Sequence, residues 1–281
     1  MRQPGARLLL VAAAVLFSTG GAAIKATSLT SWQVACFRSG MAAAVLLAAI
    51  PAARRLRHPS VWIAAPAYAA TVVLFVQANK LTTAANSIFL QSAAPLYLLL
   101  GGPWLLKEPV RRSDLAFLAL VAGGLSMFFL GTERVSATAP DPARGNVLAS
   151  VAGLTWALTI AGLRWLARRE SQDLSMAMAT AGNIIAGLVC LPAAFPLASF
   201  QAQDAATVSY LGVVQIGLAY LCLSKGIRHV TALEASLLLL AEPVLNPLWA
   251  WLLHAEQPSG WALGGGAVIL SATALRALRQ Q

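Results

Sequence analysis

Two stretches of the sequence align without a gap: TTAANSIFLQSAAPLYLLLGGPWLLKE, residues 82–108, and VTALEASLLLLAEPVLNPLWAWLLHAE, residues 230–256. Each stretch has a proline near its middle, Pro95 or Pro243, and each ends in glutamate. The shared leucines and alanines mean little, because any two apolar stretches share them. The coincident prolines and glutamates mean more, and they indicate that the chain consists of two related halves.

The composition indicates that this chain lies in a membrane. Of its 281 residues, 58% are hydrophobic and 11% are charged, and the mean hydropathy is +0.71. These values are far from those of a soluble domain. The net charge of +10 does not indicate nucleic-acid binding, because lysine and arginine lie in short clusters between apolar runs. The three cysteines lie far apart inside apolar segments, so the sequence predicts neither a disulfide framework nor a metal site.

Ten apolar runs have about the 20 residues that a helix needs to cross the hydrocarbon core. They predict an all-α integral membrane protein with ten spans, and we expect the first run to be kept as a span and not cleaved as a signal peptide. The predicted spans 1 to 10 lie near Ala6–Ile24, Trp32–Ala53, Val61–Ala78, Ala84–Leu106, Leu115–Leu130, Gly145–Leu166, Leu174–Leu197, Thr207–Ser224, Leu233–Leu253 and Ser259–Leu275.

The basic residues predict the orientation, because cytoplasmic loops retain lysine and arginine. On one side of the predicted bundle lie Arg2, Arg7, Arg54, Arg55, Arg57, Lys107, Arg111, Arg112, Arg164, Arg168, Arg169, Lys225, Arg228, Arg276 and Arg279. The other side has only Lys25, Lys80, Arg134 and Arg144. We therefore expect a multi-pass protein of the bacterial inner membrane, in contact with the lipid bilayer and with both termini in the cytoplasm.

A polar loop, GTERVSATAPDPAR at residues 131–144, separates two sets of five predicted spans. The first repeat covers residues 1–134 and the second covers residues 135–281. Because five is odd, the second half enters the membrane from the opposite side. The two halves then form an inverted repeat, which is typical of transporters that work by alternating access.

The two prolines are candidate hinges in spans 4 and 9. Each ring removes one backbone hydrogen bond, which frees the carbonyl of Gln91 before Pro95 and that of Leu239 before Pro243. A free carbonyl at this depth is tolerated only where protein or a water-filled cavity covers it. A packing kink is one interpretation. The symmetric placement in both halves favours a cavity.

This pattern resembles the drug/metabolite transporter superfamily. Each half has a first helix of small residues, AAAVLFSTGGA from Ala12 and ASVAGLTWAL from Ala149, and a fourth helix that ends in glutamate. The fourth-helix pattern of threonine, small residues, proline and a final Glu-Pro or Glu-x-Pro is similar to that of EamA-type exporters. It occurs here at 83–109 and 231–258. Within that group the chain is most similar to bacterial aromatic amino-acid exporters.

The resemblance implies a cavity between the halves, lined chiefly by spans 1, 3, 4, 6, 8 and 9, with spans 5 and 10 towards the periphery. One departure from the family is in span 1, which has Phe17 and Ser18 where many members have a tryptophan. The substrate implied by the resemblance is a small metabolite, most specifically an amino acid.

Glu242 is the leading candidate for a functional residue, because carboxylates at membrane depth are costly and usually face the bundle interior. No basic residue lies within two turns of it on span 9. It is expected to pair with a cation from elsewhere or to remain protonated. It can bind a substrate ammonium group, carry a proton, or form a neutral hydrogen bond between helices.

The other candidate substrate contacts are polar or aromatic residues within or at the end of predicted spans: Phe17, Ser18, Gln77, Asn79, Lys80, Gln91, Trp156 and Tyr220. Aromatic rings suit an apolar substrate body, and hydroxyl or amide groups can bond its polar end. Core packing, helix contacts and a solvated helix end are the alternatives. Arg38 in span 2 can snorkel to the membrane surface, line the cavity mouth or pair with a carboxylate.

The sequence favours transport over catalysis. No HExxH, GxSxG, Walker A or GxGxxG motif occurs, so no enzyme activity, cofactor or metal is predicted. The preferred hypothesis is a secondary exporter of aromatic and other neutral amino acids from cytoplasm to periplasm. The alternatives are export of another small metabolite or cation, and a structural or regulatory membrane protein that does not transport.

Overall fold

The computed structural model describes residues 4–105, 112–130, 135–197, 199–229, 235 and 238–279. Within these residues the chain is helical, because a backbone in lipid must satisfy its own amide and carbonyl groups. The helices are α1 (Pro4–Ser18), α2 (Gly20–Lys25), α3 (Ser31–Ala49), α4 (Pro59–Leu81), α5 (Ala84–Gln91), α6 (Ala94–Leu105), α7 (Arg112–Leu130), α8 (Pro142–Arg169), α9 (Ser175–Ala194), α10 (Ala202–Ser209), α11 (Ala219–Gly226), α12 (Ala241–His254) and α13 (Gly260–Arg279). The described part has no β-strand, only an isolated bridge between Ser136 and Ala139.

The predicted all-helical membrane fold is confirmed. In the described part of the chain, seven helical stretches are long and apolar enough to cross a membrane: Gly5–Lys25, Ser31–Ala49, Pro59–Leu81, Ala84–Gly101, Pro142–Arg169, Ser175–Ala194 and Ala202–Gly226. A shorter apolar helix covers Asp114–Leu130. Helices α12 and α13 lie where spans 9 and 10 are predicted. Glu108, and residues 233, 234, 236 and 237 in the first part of span 9, lie outside the described residues.

Several predicted spans differ from the structure in detail. Span 2 ends at Ala49 and not at Ala53, because Pro51 begins a separate 3₁₀ turn. Span 1 is divided into α1 and α2 at Thr19. Span 8 is one helical stretch in which a π-helical segment, Tyr210–Leu218, separates α10 from α11.

The two spans that contain the candidate hinge prolines are each interrupted just before the proline. Span 4 is interrupted at residues 92 and 93, between α5 and α6, and Pro95 is the second residue of α6. Span 9 has a turn at Leu240, and Pro243 is the third residue of α12. A ring at the start of a helix costs little, because the first amides of a helix have no partner within it. The breaks therefore place each proline where a helix tolerates it.

The two halves of the chain pack into each other. Span 3 lies against spans 6 and 7, span 2 against span 7, span 1 against spans 8 and 9, and span 5 against span 10. Close approach depends on small residues, as is usual between helices in lipid. At Gly182 in span 7, for example, a methyl group would lie 2.5 Å from Cδ1 of Tyr68 in span 3.

The helix ends define two faces of the bundle. The Lys25 face contains Lys25 at the end of α2 and Asp204 at the start of α10, where Thr27 and Ser28, just after α2, donate hydrogen bonds to Asp204. The Glu170 face contains the opposite helix ends, where Arg55 donates to the carbonyl of Asp173 at 3.2 Å and the hydroxyl of Ser60 donates to Glu170. The predicted orientation makes the Lys25 face periplasmic and the Glu170 face cytoplasmic.

Candidate functional site

A cavity of about 220 Å³ lies between the halves at the level of the breaks in spans 4 and 9. It is lined by spans 1, 2, 3, 4, 6, 8 and 9. The lining residues are Phe17, Arg38, Tyr68, Thr71, Val72, Phe75, Ile88, Gln91, Ser92, Trp156, Gln215, Ile216, Tyr220, Leu223, Leu239, Glu242 and Pro243. Gln91 and Ser92 lie at the break in span 4, and Leu239 lies next to the break in span 9. Both breaks therefore border the cavity.

Arg38 and Glu242 place opposite charges on the cavity wall. Arg38 comes from span 2 and is only 5% exposed. Its Nε and Nη1 atoms are buried and have no hydrogen-bond partner among the described residues. Glu242 comes from span 9 and is in electrostatic contact with Arg38, but the two side chains form no direct ion pair. The cavity therefore presents a guanidinium and a carboxyl group that are free to bind a third partner.

Aromatic rings form another part of the wall. Tyr220 stands edge-on to Phe17, with ring centroids 5.3 Å apart, and to Tyr68 at 6.4 Å. The amide of Asn183 donates to the hydroxyl of Tyr68 at 3.3 Å. Trp156 completes this aromatic surface from span 6. Such rings offer flat apolar area together with polar edges.

A second pocket of about 210 Å³ adjoins this cavity on the side of the Glu170 face. The two share Leu223 and the aromatic residues Tyr68, Trp156 and Tyr220, and the second pocket extends to Asp173 and Ser175 in the segment between spans 6 and 7. We call it the vestibule. The three shared aromatic residues lie between the vestibule and the cavity, so a molecule entering from the Glu170 face meets them before the charged groups.

On the opposite side, a buried ion pair closes the bundle. Lys25 Nζ lies 3.0 Å from Glu256 Oε2, with both side chains 3% exposed or less. Lys25 also donates to the carbonyls of Thr82 at 2.8 Å and Thr138 at 2.5 Å. Glu256 Oε1 accepts a hydrogen bond from the amide of Ala84. This cluster ties the ends of spans 1 and 3 and the start of span 4 to the segment that follows span 9.

A polar cluster next to it holds span 8 on the same face. Asp204 accepts hydrogen bonds from the hydroxyl of Thr27 at 2.6 Å and from the amide and hydroxyl of Ser28 at 2.8 Å. Lys80 donates to the carbonyl of Thr27 at 2.6 Å. These contacts join the segment after span 1 to the end of span 3 and to the start of α10 on the Lys25 face.

Of the residues proposed from the sequence, the structure brings six together in the cavity wall: Phe17, Gln91, Trp156, Tyr220, Glu242 and Pro243. Pro95, the second residue of α6, is not among the residues that line the cavity. Lys80 binds Thr27 at the Lys25 face, as described above. Arg38, for which the cavity mouth was one of three alternatives, also lies in the cavity wall, and Tyr68 and Thr71 are cavity residues that the sequence did not single out.

The remaining proposed contacts are engaged in helix packing. Ser18 accepts a hydrogen bond from Nε1 of Trp249 at 2.9 Å. Gln77 accepts one from the hydroxyl of Ser31 at 2.6 Å. The amide of Asn79 donates back to the carbonyl of Phe75, one turn earlier in span 3. None of the three belongs to the cavity lining.

The described side chains include no group of three histidine, cysteine, aspartate or glutamate residues that could hold a metal ion. What the site offers is two opposite charges, aromatic surface and an adjoining pocket on the side of one face. These features, within a multi-pass bundle whose halves interlock, define a membrane transporter with a central cavity.

The chain belongs to the EamA-like transporter family, whose model matches residues 5–130 and 143–277. This family consists of membrane transporters built from inverted repeats. No curated protein matches the sequence significantly. One crystal structure is similar over 99% of this chain and 99% of its own, with 20% sequence identity and a TM-score of 0.63. At that identity the similarity concerns the fold alone.

Proposed function

We propose that this protein is a secondary transporter that exports aromatic and other neutral amino acids from the cytoplasm to the periplasm by alternating access. The observation that carries the proposal is the presence of Arg38 and Glu242 in one cavity with aromatic walls. The resemblance to aromatic amino-acid exporters and the membership of a transporter family support it independently.

The two charged groups are complementary to the two ends of an amino acid. The planar guanidinium of Arg38 matches a carboxylate, to which arginine donates two parallel hydrogen bonds. The carboxylate of Glu242 matches an ammonium group. Both contacts are charge-assisted and form in a poorly solvated cavity, where they are stronger than in water. A zwitterion therefore neutralises both buried groups at once.

The aromatic surface suits the substrate's side chain. Phe17, Trp156 and Tyr220 provide apolar area for an aliphatic or aromatic group, which makes neutral amino acids better ligands than acidic or basic ones. Export of a simple cation is the less favoured alternative. Glu242 would attract a cation into the cavity, but Arg38 in the same cavity would repel it.

The direction of transport follows from the predicted orientation. The vestibule leads from the cavity to the Glu170 face, which the basic residues predict to be cytoplasmic. The Lys25 face, predicted to be periplasmic, is closed by the buried Lys25–Glu256 pair. This arrangement supports loading of substrate from the cytoplasm, with release on the other side after a conformational change.

Counterflow in proteoliposomes tests the proposal. Vesicles loaded with unlabelled phenylalanine are expected to take up labelled phenylalanine, and tryptophan and leucine should compete. Phenethylamine and phenylpropionate, which each lack one charged end, should compete weakly. As a control, Arg144→Gln removes an exposed charge outside the cavity and should transport as the wild type does. Absence of counterflow for every neutral amino acid would refute the proposal.

A further inference from the structure

The buried Lys25–Glu256 pair joins parts of the chain that also line the cavity. Lys25 ends span 1, and its other acceptors are the carbonyls of Thr82, just after span 3, and of Thr138. Glu256 follows span 9 and binds the first amide of span 4. Spans 1, 3, 4 and 9 all contribute to the cavity wall. Opening the cavity to the Lys25 face requires these helix ends to move apart.

We propose that the Lys25–Glu256 ion pair is the gate on this face and that it separates in each transport cycle. The inference requires that the protein transports by alternating access. It does not require that the substrate is an amino acid, so either proposal can fail without the other.

An ion pair suits a gate better than an apolar plug does. A buried pair contributes little net stability compared with apolar residues of the same volume, because desolvation offsets much of the attraction. When the gate opens, water solvates both charges and recovers that desolvation energy. The closed and open states are therefore similar in free energy. A plug of apolar side chains would instead strongly favour the closed state. Loss of one partner, however, strongly destabilises the closed state.

The gate is tested by thiol labelling of a residue beneath it. Ser87 lies one turn after Ala84 in span 4 and is fully buried, and Ser87→Cys changes its size little. Cys36, Cys190 and Cys222 are first replaced. Labelling with an impermeant reagent is measured in membranes that are open to the reagent on both faces. A cysteine at Ser224, which lines the vestibule, reports on the opposite side.

Glu256→Gln keeps the shape of the side chain and removes the carboxylate charge that lies 3.0 Å from Lys25. We expect labelling of Ser87→Cys to rise at least about tenfold, because removing one partner of a buried ion pair strongly destabilises the state that contains it. Labelling of Ser224→Cys should fall as the vestibule closes. The double substitution Lys25→Met/Glu256→Gln removes both charges of the pair and should raise Ser87→Cys labelling less than Glu256→Gln does.

The matched control is Asp141→Asn, which removes an exposed carboxylate near the same face. It should leave both labelling rates unchanged. The inference is overturned if Glu256→Gln leaves Ser87→Cys as protected as before or if Asp141→Asn exposes it equally. It is also overturned if labelling of both cysteines rises, since that result indicates loss of the folded bundle.

Discussion

Arg38 and Glu242 come from opposite halves of the chain and line the same cavity without forming a direct ion pair. Each group is then available to a substrate that carries the complementary charge. This relationship supports recognition of both ends of a zwitterion, and it leads to separate expectations for the two residues.

Glu242→Gln keeps the shape and hydrogen bonding of the side chain but removes its charge. If the carboxylate binds the substrate ammonium, the loss is about 1.5–3 kcal/mol, or roughly tenfold or more in affinity. The KM for phenylalanine in counterflow should rise accordingly. A KM equal to that of the wild type would show that the role of Glu242 is structural. Loss of pH-driven transport with intact exchange would instead identify it as a proton carrier.

Arg38→Lys keeps the positive charge but loses the planar pair of donors. We expect weaker binding of phenylalanine than in the wild type, and still weaker binding in Arg38→Gln, because only arginine binds a carboxylate through two parallel hydrogen bonds. Competition by phenethylamine, which has no carboxylate, should be unaffected or improved in Arg38→Gln. Equal loss of competition by phenylalanine and phenethylamine would show that Arg38 acts on the cavity's shape and not on the carboxylate.

Gly182→Ala tests how closely span 7 supports the cavity wall. The added methyl group would lie 2.5 Å from Cδ1 and 3.0 Å from Cβ of Tyr68 and 3.1 Å from the carbonyl of Ala65. Such overpacking costs about 1–3 kcal/mol, so we expect a lower midpoint of thermal unfolding and a higher KM. The control is Gly123→Ala, because a methyl group there meets no atom within 4 Å. Equal behaviour of the two variants would contradict the packing described.

The orientation remains a prediction from the basic residues and can be measured on intact cells. Single cysteines replace Arg55 on the Glu170 face and Asp141 near the Lys25 face, both of which are exposed. An impermeant thiol reagent should label position 141 and not position 55, because the positively charged side is expected to be cytoplasmic. The reverse pattern would invert the proposed direction of transport.

The helical fold could be predicted because lipid allows few alternatives. Apolar runs of the right length must form helices. The pairing of spans across the two halves could not be read from the pattern, because it depends on close approaches such as Gly182 against Tyr68.

The candidate site was predictable only in part. Glu242 stood out because a carboxylate in an apolar helix is costly. Arg38 did not stand out, because an arginine near a helix end can equally extend to the membrane surface. Its place in the cavity depends on packing against spans from the other half of the chain. In the sequence, Glu256 was noticed only because both aligned stretches end in glutamate. Its partner Lys25 lies at the other end of the chain, and no local pattern links the two.

An exporter of neutral amino acids lowers their level inside the cell. The most direct test is the accumulation of a labelled toxic analogue, such as fluorophenylalanine, in cells that overproduce the protein. We predict less accumulation and greater resistance than in cells that overproduce the Glu242→Gln variant at the same membrane level. Equal accumulation in cells with the wild-type protein, the variant and neither would contradict export of amino acids.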